Sequence, residues 1–236
     1  MKTILHRGSG RGHANYGWLD TRYSFSFANY QDPEKVHFGA LRVFNDDTLE
    51  GGGGFDRHPH DNMEITTIVL EGSLEHKDSM GHTQQIRAGE VQVMTAGTGI
   101  FHSEYNADAE KTLRLFQIWV FPAVKNLTPR YDQKAFDPKD RDNKWQSLVS
   151  PDEAGALMLH QKTWFSRTTL SAGKNIEYTL HDKSHGVYVF MIDGTADVAS
   201  ARLETRDALG VYDTDVVSLR AEKDSDILLI EVPMLW

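Results

Sequence analysis

The 236-residue sequence predicts an all-β protein built from two similar halves, a duplicated barrel or jelly roll. Three observations predict it. Short β-branched segments of alternating polarity recur on both sides of a proline- and charge-rich middle stretch. An acidic-glycine turn closes an apolar strand in each half, Glu71-Gly72 in the first and Asp193-Gly194 in the second. No segment of the first half carries the 3.6-residue periodicity of an amphipathic helix.

The elements follow in order. Residues 63–70 (MEITTIVL) read as a strand. Residues 74–77 pair with 84–87 across the polar turn 78–82, and 91–94 (VQVM) alternate again. Residues 95–99 (TAGTG) form a loop delivering the chain to Ile100 and His102, and 113–121 (LRLFQIWVF) make the longest β pattern. Residues 122–155, with Pro122, Pro129, Pro138, Pro151 and a charged run, read as an exposed connector. Strands then resume at 164–170, 176–180, 187–192, 196–198, 216–219 and 227–232. The expected division is 1–135 as the first domain, 136–150 as linker and 151–236 as the second.

Composition narrows the function. The formal charge is −9, from 25 Lys and Arg against 34 Asp and Glu, with no basic run to track phosphates. A direct nucleic-acid partner is therefore not expected. The absence of cysteine excludes disulfides, thiolate ligands and a cysteine nucleophile together. Residues 1–7 do not resemble a signal peptide and no run reaches membrane-span length, so a cytoplasmic location is expected.

Two short strings carry chemistry: His58-Pro59-His60 and His102-Ser103-Glu104. On a strand, side chains two apart point the same way, so each string aims two ligands at one place. Three imidazoles and a carboxylate suit a divalent iron, nickel, copper, manganese or zinc ion. Glu64 shares parity with His58 and His60, so spacing leaves the choice between Glu64 and Glu104 open. His76 and His82, at the hairpin, are expected to be solvated, as are His181 and His185 on a strand end and loop. Gly8 to Gly12 lacks the strand, lysine and helix of a phosphate loop and reads as flexible. Residues 51–54 read as a flexible approach to the first ligand strand. Trp18, Phe25, Phe27, Phe101, Phe116 and Trp119 are expected in the core.

Taken together, residues 54–81 (GFDRHPHDNMEITTIVLEGSLEHKDSMG) and 88–106 (AGEVQVMTAGTGIFHSEYN) resemble the pirin family of the cupin superfamily. The likeness extends to GHANYGWLDTRYSFSFANYQDP at 12–33, LTPRY at 127–131 and DSDILLIEVP at 224–233, and is strongest to bacterial pirin-like quercetinases. It implies a bicupin of two jelly-roll barrels with metal only in the first. It implies His58, His60, His102 and Glu104 as the ligands of one metal per chain, iron foremost, with Glu104 also the catalytic base. Glu64 then becomes a group orienting an imidazole. The implied activity is quercetin 2,3-dioxygenase, with a flavonol and dioxygen as partners. Two other readings stand beside it: a metal- or redox-dependent regulator that binds a protein partner, and a cupin enzyme for another small molecule.

Overall fold

The computed structural model describes residues 1–235. Its regular structure is strands, with two short 3-10 turns at Gly8–Gly10 and Pro138–Arg141. No helix among the described residues is long and apolar enough to cross a membrane.

Each half is a sandwich of a large and a small antiparallel sheet. In the first half the large sheet has seven strands, in the order Arg130–Ala135, Glu90–Thr95, Glu64–Glu71, Leu113–Val120, Leu41–Leu49, Leu19–Tyr23, Gly12–Asn15. Its small sheet has four, Gly54–His60, Ile100–Asn106, Ser73–Asp78 and Thr83–Arg87. The second half repeats the plan. Lys2–His6, Ala208–Tyr212, His185–Asp193, Ser225–Pro233, Trp164–Leu170 and Gln146–Val149 form the large sheet. Asn175–Thr179, Val216–Ala221, Thr195–Val198 and Ala201–Glu204 form the small one. The molecule is a bicupin, as the duplicated strand pattern predicts.

The two large sheets pack on one another, and this explains their sequences. A strand buried on both faces reads as a continuous apolar run, whereas one with a wet face alternates. In Leu113–Val120, Phe116, Ile118 and Val120 enter the core between the halves, while Leu113 and Leu115 enter the first barrel's own core. Val216–Ala221, in a small sheet, alternates strictly between exposed and buried. The shared core is aromatic at its centre: Phe44 and Phe190, from opposite halves, lie 4.5 Å apart, and Phe116 lies 5.3 Å from Phe190. Burial of each such ring contributes about 1.5–3 kcal/mol. Beside it Asp46 accepts from Arg11 at 3.3 Å and from Arg206 of the second half at 3.2 Å.

Sheet membership departs from chain order at both ends of the first half. Lys2–His6 pairs with Ala208–Tyr212, so the second sheet is completed by the N-terminal strand. Gln146–Val149, inside the stretch expected to be linker, pairs with Trp164–Leu170. Arg130–Ala135, inside the expected connector, is the edge strand beside Glu90–Thr95. Local patterning could not place these strands, because their partners lie far away in the chain.

Candidate metal centre

The centre sits inside the first barrel, on its small sheet. Gly54–His60 runs antiparallel to Ile100–Asn106, with His58 opposite His102 and His60 opposite Ile100. Gly54–His60 is an edge strand. That position tolerates Pro59, which has no N–H to give a second neighbour. A bulge follows: Glu104 pairs with Phe55, so three residues on one strand match two on the other. Gly54 permits the close approach there, since a Cβ at that position would stand 2.5 Å from the Glu104 carbonyl oxygen. A Cβ on Gly51 would likewise strike Ala109 O at 2.2 Å. Residues 51–54 therefore form a tightly packed turn, not the flexible approach that composition suggested.

His58, His60 and His102 bring one ring nitrogen each within 4.8 Å of the others, and His102 and Glu104 form a second such group with His76. These are the groups of three or more potential metal ligands among the described residues. All four expected ligands line one cavity of about 200 Å³ together with Phe27, Asp47 and Trp119.

The hydrogen bonds assign tautomers that leave nitrogen lone pairs facing inward. His58 Nδ1 donates to the Asp56 carbonyl at 2.7 Å, which leaves Nε2 free to bind. Asp78 Oδ2 accepts from His82 Nδ1 at 2.8 Å and from His76 Nε2 at 3.3 Å. Burial works against the Asp78 charge, but bonds from His82, His76 and Met80 N hold its carboxyl below the ordinary range. With Nε2–H committed to Asp78, a singly protonated His76 accepts at Nδ1 from His102 Nδ1 at 3.4 Å. His102 Nε2 is then an unprotonated nitrogen, buried and without a partner. An orphaned lone pair beside two other imidazoles is what a divalent cation would satisfy.

Electrostatics agree. Burial first, then the neighbouring imidazoles, lower His60 to about 4 and His102 to about 3. Both are neutral, the metal-binding form, throughout the physiological range. Glu104 is held on both oxygens: Oε1 accepts from Gln92 Nε2 at 2.9 Å, Oε2 from Gln117 Nε2 at 2.5 Å. The residues fit one divalent metal ion, with the three imidazoles as its nitrogen donors. No second metal group is found in the other barrel among the described residues.

Glu64 is elsewhere. Its carboxylate accepts from Thr95 Oγ1 at 3.0 Å and from the His160 backbone, on the side of the large sheet turned to the second half. Parity fails because His60 ends a strand of the small sheet and Glu64 begins one of the large sheet, with a turn at Asp61–Met63 between them. The expected orienting role is taken instead by His76, which is fully buried and not solvated. His82 is half-buried, stacked on Tyr131 at 5.1 Å. Gln92, Gln117 and Thr67 were also missed. Each is a polar side chain within an apolar strand, the signal that could have found them.

Two further expectations change. In the second half His185 is buried, not solvated, and bonds Glu231 Oε1 at 2.9 Å, whereas His181 is exposed as expected, though it stacks on Trp164 at 4.1 Å and bonds Oε2 at 2.8 Å. Glu231, fully buried on the closing strand, ties both down. Of the aromatics expected in the core, Phe25 and Phe116 lie there, but Phe27 and Trp119 line the metal cavity. Phe101 is exposed beneath the Arg57 guanidinium.

A two-barrel protein with one histidine-rich centre in its first barrel is thus defined by fold and site. The Pirin family profile matches residues 6–120, and that of the quercetinase C-terminal cupin domain matches residues 147–232. The chain is 43% identical to the quercetin 2,3-dioxygenase of Escherichia coli K12 over 97% of its length and 98% of that protein's. It is 40% identical to a pirin-like protein of Caulobacter vibrioides, over 93% of this chain and 95% of that one. The crystal structure of the bacterial pirin YhhW from Escherichia coli in complex with nickel(II) superposes with a TM-score of 0.93 at 42% identity, over 98% of this chain and 99% of that one. The chain belongs to the pirin family.

Two outcomes follow for the carboxylates. Glu104→Ala lowers metal occupancy, measured by elemental analysis after dialysis, by at least the roughly 10–100-fold typical of a supporting group. Glu64→Ala leaves occupancy close to wild type; the reverse order would contradict the site as drawn. Glu64 also has a pH signature. Burial pushes its carboxyl up to about 7, against the Thr95 hydroxyl, the His160 backbone and Arg130. The folded state therefore holds more protons than the unfolded one between about 4.5 and 7, and wild-type stability falls as pH rises through that window. Glu64→Gln stays neutral, so in urea unfolding it gains on wild type by roughly 1–3 kcal/mol between pH 5 and pH 8. A difference that is constant with pH would contradict the raised carboxyl.

Proposed function

We propose that this chain is a metal-dependent quercetin 2,3-dioxygenase. The observation that carries the proposal is the cluster of three imidazoles, with His102 Nε2 unpartnered, opening with Glu104 into a cavity flanked by Phe27, Phe55 and Trp119. The name of the Escherichia coli relative supports the choice of substrate.

His58, His60 and His102 hold the metal in this reading, with Glu104 as the fourth ligand. The ion, iron in our proposal, supplies a Lewis acid for an anionic substrate oxygen and a route for electrons between substrate and dioxygen. Nickel, copper, manganese and zinc suit the same donors, and the nickel complex of YhhW shows that a pirin of this type accepts one of them.

The chain's own groups do the rest. Glu104 takes the proton of the flavonol 3-hydroxyl, and Gln92 and Gln117 fix the carboxylate for that transfer. The His102–His76–Asp78 series holds His102 in one tautomer and orientation. Trp119, 4.8 Å from His60, and Phe27 exclude water around the substrate's flat face. In the balanced reaction both atoms of dioxygen remain in the ring-opened ester. The carbon that bore the 3-hydroxyl leaves with its oxygen as carbon monoxide.

The metal-loaded protein is therefore expected to consume dioxygen with quercetin and bleach its absorbance band in air but not anaerobically. His58→Ala and His102→Ala abolish this. An aerobic rate equal to that of buffer with the same free metal, for iron, copper, nickel and manganese alike, would contradict the activity. Metal-dependent capture of a protein partner without oxygen uptake would favour a regulator instead.

A further inference from the structure

The metal cavity does not end at its histidines. A second cavity of about 230 Å³ adjoins it, and the two share Phe27, Asn45, Asp47 and Phe55 as lining residues. Two series of touching rings run from the metal ligands into this outer chamber. On one, His58 lies 6.4 Å from Phe55, and Phe55 lies 5.3 Å from Trp18. On the other, His60 lies 4.8 Å from Trp119, Trp119 5.4 Å from Phe27, and Phe27 5.6 Å from Tyr23. At the outer end stands Tyr16, half exposed. A passage lined by aromatic faces suits a flat aromatic ligand longer than the inner cavity alone can take.

Its polar groups are placed unusually. Asn45 and Asp47 stand two apart on Leu41–Leu49, hence on one face of the strand, about 6–7 Å apart along it. Both are more than nine-tenths buried, both line the two cavities, and Oδ1 of each has no hydrogen-bond partner. The Thr21 hydroxyl is close enough to temper the Asp47 charge, but no bond of ordinary geometry joins them. Burial pushes the Asp47 carboxyl up to about 7, with Asp46 and Glu104 adding to the effect. Bare buried acceptors destabilise a fold by about 1–3 kcal/mol each unless something donates to them. A larger cleft of about 480 Å³ elsewhere is lined by Arg7 and Asp207, which already pair with each other.

We propose that the outer chamber is the subsite for the ligand's pendant aryl ring, and that Asn45 Oδ1 and Asp47 Oδ1 accept hydrogen bonds from hydroxyls on that ring. The inference rests on the flavonol reading of the metal centre and adds a preference to it. Ligands with hydroxyls on the pendant ring satisfy the two acceptors; a ligand with a bare phenyl ring desolvates them without replacement. Trp18, Tyr23 and Phe27 supply the stacking faces, and Asn45 and Asp47 supply the discrimination.

The test is anaerobic binding, which needs no turnover. Galangin, kaempferol and quercetin, with none, one and two hydroxyls on the pendant ring, are titrated into the metal-loaded full-length protein and followed by flavonol absorbance. Affinity is expected to rise roughly three- to tenfold with each hydroxyl. In Asn45→Leu and Asp47→Leu the advantage of quercetin over galangin shrinks by a similar factor. Asp47→Asn, which keeps an acceptor at the same place, retains most of it. Equal affinities for the three ligands in the wild-type protein would overturn the subsite, even if the leucine variants fail to fold. A gradient that survives both leucine substitutions in folded protein would overturn it too. A gradient without oxygen uptake supports the subsite and removes the dioxygenase. No binding of any flavonol removes both.

Discussion

One strand register governs the chemistry of this protein: Gly54–His60 against Ile100–Asn106, with His58 across from His102. Side chains alternate along strands, so a slip of one residue would turn both histidine strings outward and dissolve the centre. Three features pin the register. The bulge between His102 and Glu104 needs Gly54, the tight turn at 51–54 fixes where the edge strand begins, and Ser73–Asp78 pairs along the other side of Ile100–Asn106. That third pairing also brings His76 opposite Glu104 and Asp78 opposite His102. The candidate ligands and the groups that bond to them are thus consequences of the same ladder.

The large sheets act as the rigid wall behind this ladder. Thr67, Gln92 and Gln117 point from three adjacent strands toward Glu104, while Ile68, Val91 and Phe116 on the same strands point into the core between the halves. A strand clamped on both faces has little freedom to rotate, so the hydrogen bonds that hold Glu104 inherit the stiffness of the shared core. The second barrel thereby serves the first at a distance. Glu231, which saturates itself on Tyr178, His181 and His185, stands in that barrel as a structural clasp.

The convergence of the two histidine strings was legible because strand parity is local: His58, Pro59 and His60 need no knowledge of the rest of the chain. Glu64 shows where this ends. Its parity matches that of His60 in sequence, yet a turn between them changes sheets, and the carboxylate lands on the opposite face of the wall. His76 was misread for a similar reason. It sits near a hairpin tip, but its strand runs alongside His102, and proximity across a sheet is invisible to spacing. Lys2–His6 is the same problem at larger scale, since its partner lies some 200 residues away. Asn45 and Asp47 lay in a strand that pattern reading passed over, because polar residues interrupt its apolar face at the positions that line the cavity.

Anomalous diffraction at the metal edge, from crystals of the metal-loaded protein, tests the account most directly. A single strong peak bounded by the ring nitrogens of His58, His60 and His102, with the Glu104 carboxylate beside it, is the result expected. A principal peak at Glu231 in the second barrel, or one in the first barrel that leaves His102 Nε2 without a bond to the ion, would contradict it.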